Sequence, residues 1–406
     1  MIRQLGRAQL EVADILRAHG DEYRRLRNPS ARQRKILRNI EQCRTAALGG
    51  HKDTCTNCGH VRVSYNSCRD RHCPKCQSLK KDEWLEARKQ RLLPVPYFHV
   101  VFTLPNELNP LALRNKKIVF DLLFKSAAET LQQVASQKKH LGAQIGFTAV
   151  LHTWGQKLQF HPHLHCVVTG GGLDFRQGRW IAASQRYFLC VDVLGMLFKA
   201  KFLEALKTAH TERKLSLAGT TAHLEDRRLW QRLLNRLYSS KWVVYAKPPF
   251  GGPEHVFRYL GRYTHRVAIS NHRLLELKDG QVTFRVKDYA DEGKSKRLTI
   301  SALEFIRRFL LHVLPERYMR IRHYGLMAGR NVETKLARAR EILGVAAKED
   351  KASPGDETDA SKPWWERLFE LTGVDIFKCP VCGSGRMLRE PLQPAPPRAH
   401  AAWDTS

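Results

Sequence analysis

Two Cys-x-x-Cys pairs, Cys55-Thr-Asn-Cys58 and Cys73-Pro-Lys-Cys76, constrain this chain more than any other feature of its sequence. Thiolate pairs at this spacing are those of zinc ribbons, in which each pair bites one ion from a tight turn. So small a module buries too little apolar surface to fold unaided, and the ion supplies most of its folding free energy. The reading is a structural Zn²⁺ held by Cys55, Cys58, Cys73 and Cys76, with His60, Cys68 and His72 near enough to replace one ligand. Four filled positions leave no open coordination site, so this ion would be structural rather than catalytic. Six of the ten cysteines fall in Cys-x-x-Cys pairs, and no apolar run is long enough for a membrane span. The expectation is metal ligation in a reducing cytoplasm, not disulfides, and neither secretion nor membrane insertion.

Charge narrows the partner. The 69 Lys and Arg residues outweigh 39 Asp and Glu to give a net charge of +30, with a pI near 10.0. Such a balance favours a polyanion, nucleic acid first and an anionic membrane second. Arg69, Arg71, Lys75, Lys80 and Lys81 flank the cysteines and are candidate DNA contacts, although a charge run is more often a solvated face.

The chain's length implies two to three domains. Helical periodicity from Gln4 to about Ala47, broken at Asn28-Pro29, leads into the cysteine segment, and a charged helix is predicted from about Ser78 to Leu92. Residues 1–93 therefore read as a helical, zinc-binding, DNA-binding domain. Strands are predicted at Tyr97–Leu104, Gln144–His152, His163–Thr169, Trp242–Ala246, Arg273–Leu277 and Gln281–Lys287, with Gly170-Gly171-Gly172 as a turn. Helices at about Leu111–Gln137, Val193–His210, Leu224–Leu237 and Leu303–Leu314 interleave with them. This mixture predicts an α+β domain over 94–345 built on a mainly antiparallel sheet. Residues 346–406 read as a polar linker, a short helix, a lone Cys379-x-x-Cys382 and a Pro/Ala tail expected to be disordered.

Two constellations lie in the larger domain. In His161-Pro162-His163-Leu164-His165, strand alternation projects His163 and His165 on one face while Leu164 points into the core. Two imidazoles so placed chelate a divalent ion, and His161, on the same face, is a possible third ligand; the bland alternative is histidines decorating a half-buried strand. The other is a helix opening at Gly251-Gly252-Pro253, with a basic edge of Arg258, Arg262 and Arg266. Tyr259 and Tyr263, four apart, are stacked neighbours whose hydroxyls can reach one phosphate-sized site. Taken alone, this helix also fits an ordinary amphipathic helix whose tyrosines cap a core.

In this order, the three signals resemble the two-tyrosine rolling-circle transposases of the insertion-sequence 91 type, in the HUH endonuclease superfamily. The phrases that carry the resemblance are Cys43–His51, Tyr65–Cys76, His161–His165, Tyr259–Asn271 and Arg320–Gly325. The resemblance implies an HUH-type sheet of five strands with the histidines on a central strand and the tyrosine helix laid against it. It implies a catalytic Mg²⁺ or Mn²⁺ on His163 and His165, Tyr259 and Tyr263 as nucleophiles forming 5′-phosphotyrosine links, and a zinc-binding N-terminal domain. The implied partners are single-stranded DNA at element ends and a DNA target, in the nucleoid of a bacterial cytoplasm. The alternatives are a rolling-circle replication initiator and a non-catalytic zinc-ribbon DNA-binding regulator.

Overall fold

Every strand pairing in the computed structural model is antiparallel among the residues it describes, 10–76, 91–184, 189–247, 268–288, 291–344, 363, 365–366, 369–370 and 373–395. With the helices between the strands this is the α+β class expected. Two units separate, one of Met1–Gln77 with Glu349–Ser406 and one of Ser78–Lys348.

In the first unit, helices Val12–Arg27 and Ala31–Gln42 bury Ile15, Leu16, Ile36, Leu37 and Ile40. The break falls where the Asn-Pro pair predicted it. Asn28 takes a left-handed conformation at φ 40°, and Ser30 caps the second helix by accepting from the Gln33 amide. A three-stranded sheet follows, with β1 (Gly50–Cys55) between β2 (Val61–Tyr65) and the last described strand, β12 (Met387–Leu392). The segment beyond the linker, expected to be a tail, thus supplies an edge strand to the N-terminal sheet. Its sequence, Met-Leu-Arg-Glu-Pro-Leu, has no clean alternation because most of it is exposed. The charged helix expected at 78–92 and the linker at 347–362 lie largely or wholly outside the described residues.

The second unit is organised by β5 (Phe160–Asp174). It is central in the order β11 (Ile321–Gly325), β4 (Gln144–Trp154), β5, β3 (Tyr97–Thr103), β7 (Val244–Lys247), with β6 (Arg179–Ala182) added to its far end. One face of the sheet carries Phe98, Val100, Phe102, Leu164, Cys166 and Val168, in one buried cluster with side chains of helices Lys116–Ser136 and Val191–Thr211. Phe102 meets Phe198 edge-on with centroids 5.0 Å apart. Truncating such an aromatic costs about 3–5 kcal/mol. A second small sheet, β8 (Leu274–Lys278), β9 (Gln281–Asp288) and β10 (Lys294–Ser301), precedes the helix Ala302–Leu311, whose Phe305 meets Phe284 of β9. No described helix is long and apolar enough to cross a membrane.

Two expectations changed. The helix predicted across 111–137 is two, Asn109–Arg114 and Lys116–Ser136, because Asn115 turns its amide to the Ser216 backbone at 2.9 and 2.8 Å. The glycine run is not a turn but the interior of β5. A Cβ at Gly172 would stand 2.7 Å from the Gln144 carbonyl oxygen, so the absent side chains let the neighbouring strand approach.

Candidate metal centres

Register on the sheet assembles the first centre. His163 of β5 lies opposite His152 of β4 and Thr103 of β3, and directly opposed residues share a face. His152, His163 and His165 form a group whose ligand atoms all lie within 4.8 Å of one another. The Nε2 atoms of His163 and His165 are 3.1 Å apart. An ion about 2.1 Å from each nitrogen puts adjacent ligands about 3.0 Å apart in octahedral geometry, so the spacing fits a divalent ion.

Neighbouring groups fix which nitrogens face the centre. His163 Nδ1 donates to the His161 carbonyl at 2.7 Å, leaving Nε2 with its lone pair. His165 Nδ1 bonds His99 Nε2 at 2.8 Å, and β3 thereby orients the second imidazole. His152 is buried and stacks on Trp154 with centroids 4.5 Å apart. His161 stands outside the group, so the third imidazole comes from β4 and His161 contributes its carbonyl. Burial pushes His163 and His99 down to about 4 and His165 well below its ordinary value, with the neighbouring imidazoles adding repulsion at His163 and His165. His163 and His165 are therefore neutral near pH 7, the form in which imidazole binds metal.

The cysteines group differently from the expected set. Cys73 and Cys76 meet Cys43 and Cys68, whereas Cys55 and Cys58 meet Cys379 and Cys382. Cys43 ends the second helix, and its Sγ accepts from the Cys68 amide at 3.5 Å. Cys68 and Cys76 Sγ are 3.7 Å apart, close to the roughly 3.8 Å edge of a tetrahedron with Zn–S near 2.3 Å. Neither nearby histidine belongs to either group; buried His72 turns its Nδ1 to Asp70 Oδ1 at 2.9 Å. Of the basic flank, Lys75 pairs with Glu11 at 2.6 Å and Arg71 is half-buried.

A family described as "Transposase zinc-binding domain" matches residues 15–104, and one described as "Putative transposase" matches residues 146–335. "Putative transposase y4qJ" of Sinorhizobium fredii is 50% identical over 99% of this chain and 100% of its own length. The chain belongs to the insertion-sequence 91 family of transposases. The "Transposase for insertion sequence element IS801" of Pseudomonas savastanoi pv. phaseolicola is 29% identical, over 84% of this transposase and 80% of its own length. No solved structure matches. The matched zinc-binding region of this transposase holds Cys43, Cys68, Cys73 and Cys76, and the second region holds all three grouped histidines.

Tyr259, Tyr263, Arg258, Arg262 and Arg266 lie outside the described residues. Sequence reasoning missed His152, His99, Cys43 and the pairing of Cys379 with Cys58. A signal for His152 was present in the antiparallel turn at Gly155, which folds it back toward His163. Cys43 lies in one of the phrases that carried the resemblance, but as a single cysteine it has no spacing to mark it.

Proposed function

We propose that this transposase moves its element by a rolling-circle route, cutting single-stranded DNA with Tyr259 and Tyr263 beside a divalent ion held by His152, His163 and His165. The observation that carries the reading is the convergence of three imidazoles, two from the central strand β5 and one from its neighbour β4. An ion bound there would polarise a non-bridging oxygen of the scissile phosphate and orient it for attack. The all-nitrogen set suits Mn²⁺ better than Mg²⁺, which prefers oxygen donors.

The protein's own groups do the rest. His161 and His99 hold the imidazoles in register, and Arg258, Arg262 and Arg266 grip flanking phosphates. A tyrosine Oη gives up its proton and bonds to phosphorus as the bond to the 3′ oxygen breaks. That oxygen takes up a proton and leaves as a 3′-hydroxyl, and the 5′ end stays on the enzyme as a phosphotyrosine. The link conserves the phosphoester, so rejoining needs no nucleotide triphosphate. Two tyrosines allow one 5′ end to be held while the second junction is cut. Such a substrate places the protein at the nucleoid of a bacterial cytoplasm.

The test is incubation with single-stranded element-end DNA and Mn²⁺, followed by mapping of the adduct. Tyr259→Phe or Tyr263→Phe alone should leave partial nicking but stop complete transposition, and the double variant should form no adduct. An adduct on the double variant places the nucleophile elsewhere. A zinc-ribbon regulator would give none with any form, and cleavage confined to a plasmid-type origin would assign the chemistry to a replication initiator.

A further inference from the structure

Cys379 and Cys382 lie beyond both regions matched by the transposase families, yet β12 carries them back to the N-terminal sheet. Its register with β1 runs from Gly50 opposite Leu392 to Cys55 opposite Met387, which brings the turn before β12 against the turn after β1. The two turns close in similar ways. The Cys55 amide donates to the His60 carbonyl at 2.9 Å and the Gly59 amide to the Cys55 carbonyl at 3.2 Å. The Cys379 amide donates to the Gly385 carbonyl at 2.9 Å and the Gly383 amide to the Cys379 carbonyl at 3.1 Å. In each, the glycine after the second cysteine takes a left-handed conformation, φ 69° at Gly59 and 68° at Gly383.

Their sulfurs converge. Cys55 and Cys382 Sγ are 3.7 Å apart, as are Cys58 and Cys379 Sγ. That is far beyond the roughly 2.05 Å of a disulfide and close to the roughly 3.8 Å edge of a zinc tetrathiolate. Backbone amides already point at the sulfurs, from Asn57 and Cys58 to Cys55 at 3.4 and 3.5 Å and from Gly385 to Cys382 at 3.3 Å, as thiolates require. A Cβ on Gly385 would stand 2.3 Å from Cys55 Sγ, so the second turn closes directly over the first. Beside the cluster, Asp53 is 1% exposed and takes Arg62 of β2 at 2.9 Å and Arg389 of β12 at 2.7 Å. Those guanidiniums outweigh the effect of burial and hold its carboxyl below the usual range. Among the described residues, Met387 is the one buried non-cysteine side chain clustered with Cys55, Cys379 and Cys382, so unligated thiols would leave this end of the sheet almost without an interior.

We propose that Cys55, Cys58, Cys379 and Cys382 bind a second structural zinc ion, which fastens the C-terminal segment to the N-terminal module. All four cysteines of the first group, Cys43, Cys68, Cys73 and Cys76, fall within the matched zinc-binding region, whereas the second group needs both ends of the chain.

The test replaces zinc in the full-length protein with Co²⁺ and counts thiolate-to-cobalt charge-transfer intensity, which the histidine group does not produce. Wild type should show two tetrathiolate equivalents. Cys58→Ser and Cys382→Ser should each lose the same one, and Cys43→Ser the other. A single equivalent in wild type, or full intensity in Cys382→Ser, overturns the proposal. Should a variant fail to fold, alkylation of native wild-type protein decides. Cys379 and Cys382 should be protected and should become reactive together with Cys55 and Cys58 when a zinc chelator is added. Labelling of Cys379 and Cys382 before chelation, or their recovery as a disulfide, refutes it.

Discussion

The histidine-bearing sheet and the cysteine-bearing module hold their ligand atoms by opposite means. In the sheet, imidazoles project from strands hydrogen-bonded on both sides and backed by a large aromatic core that includes Phe102, Phe120, Phe124 and Phe147. In the module, the sulfurs are themselves the interior at the end where Cys55, Cys379, Cys382 and Met387 gather. A metal added to the sheet finds its ligands already placed, whereas a metal added to the module does the placing. The same element of chemistry is thus an accessory in one region and a core in the other.

The largest effect should come from stripping the metals. Structural zinc contributes about 10–16 kcal/mol per site, so chelation should unfold the module and open residues 50–76 and 373–395 to protease. The melting of the sheet should hardly move. A module that stays protease-resistant after its zinc is removed would erase the contrast between the two regions.

Next in size is the loss of a sheet ligand. His163→Ala or His152→Ala should lower single-strand cleavage 10³-fold or more, roughly 4 kcal/mol of transition-state stabilisation. DNA binding should persist because it rests on many basic side chains and should fall steeply with salt. A variant that nicks at the wild-type rate would remove the ion from the reaction.

Buried His312 sharpens the comparison through pH. It bonds Thr153 and Leu158 at 3.2 and 3.1 Å, and burial pushes it down to about 3. Its folded value lies below its unfolded value of about 6.5, so the unfolded chain binds the proton first as pH falls. Stability is therefore full above about pH 6.5 and drains away toward pH 3, by about 5 kcal/mol for this group. Urea unfolding of the sheet at pH 7 and 4.5 should show the decline, and His312→Gln should lessen it, the remainder belonging to His99, His163 and His165, which burial also lowers. Equal slopes in the two proteins would mean that this histidine is not held neutral.

The smallest effect concerns His99, which touches the ligand His165 and is not one of the grouped three. His99→Ala should weaken metal binding at the histidines by 10–100-fold and leave both cysteine groups untouched. Isothermal titration with Mn²⁺ measures it; an unchanged affinity would show that β3 does not help to aim the site.

What could be read from sequence followed the range of the interactions. His163 and His165 were legible because two residues of one strand share a face whatever the neighbours do. His152 required the register of β4 against β5, which the bulge between His152 and Trp154 shifts by geometry no local pattern records. The strand predicted from His163 begins instead at Phe160 and runs through Pro162, at that same slip in the ladder. Cysteine spacing correctly marked the turns and misassigned their partners, since a Cys-x-x-Cys pair says how one ion is bitten and not which second pair completes it. The break at Asn115 was equally hidden, because its cause is Ser216 on a distant segment.

The pairing of β1 with β12 also sets a clock. The two strands are separated by about 330 residues, and synthesis at about 5–20 residues per second leaves β1 waiting roughly 20–60 s for its neighbour. Until then one side of β1 is an open edge, able to pair with other chains. A chain whose synthesis stops early never closes that edge, however well its sheet has folded. Completion of the N-terminal module is therefore reserved for molecules translated through β12.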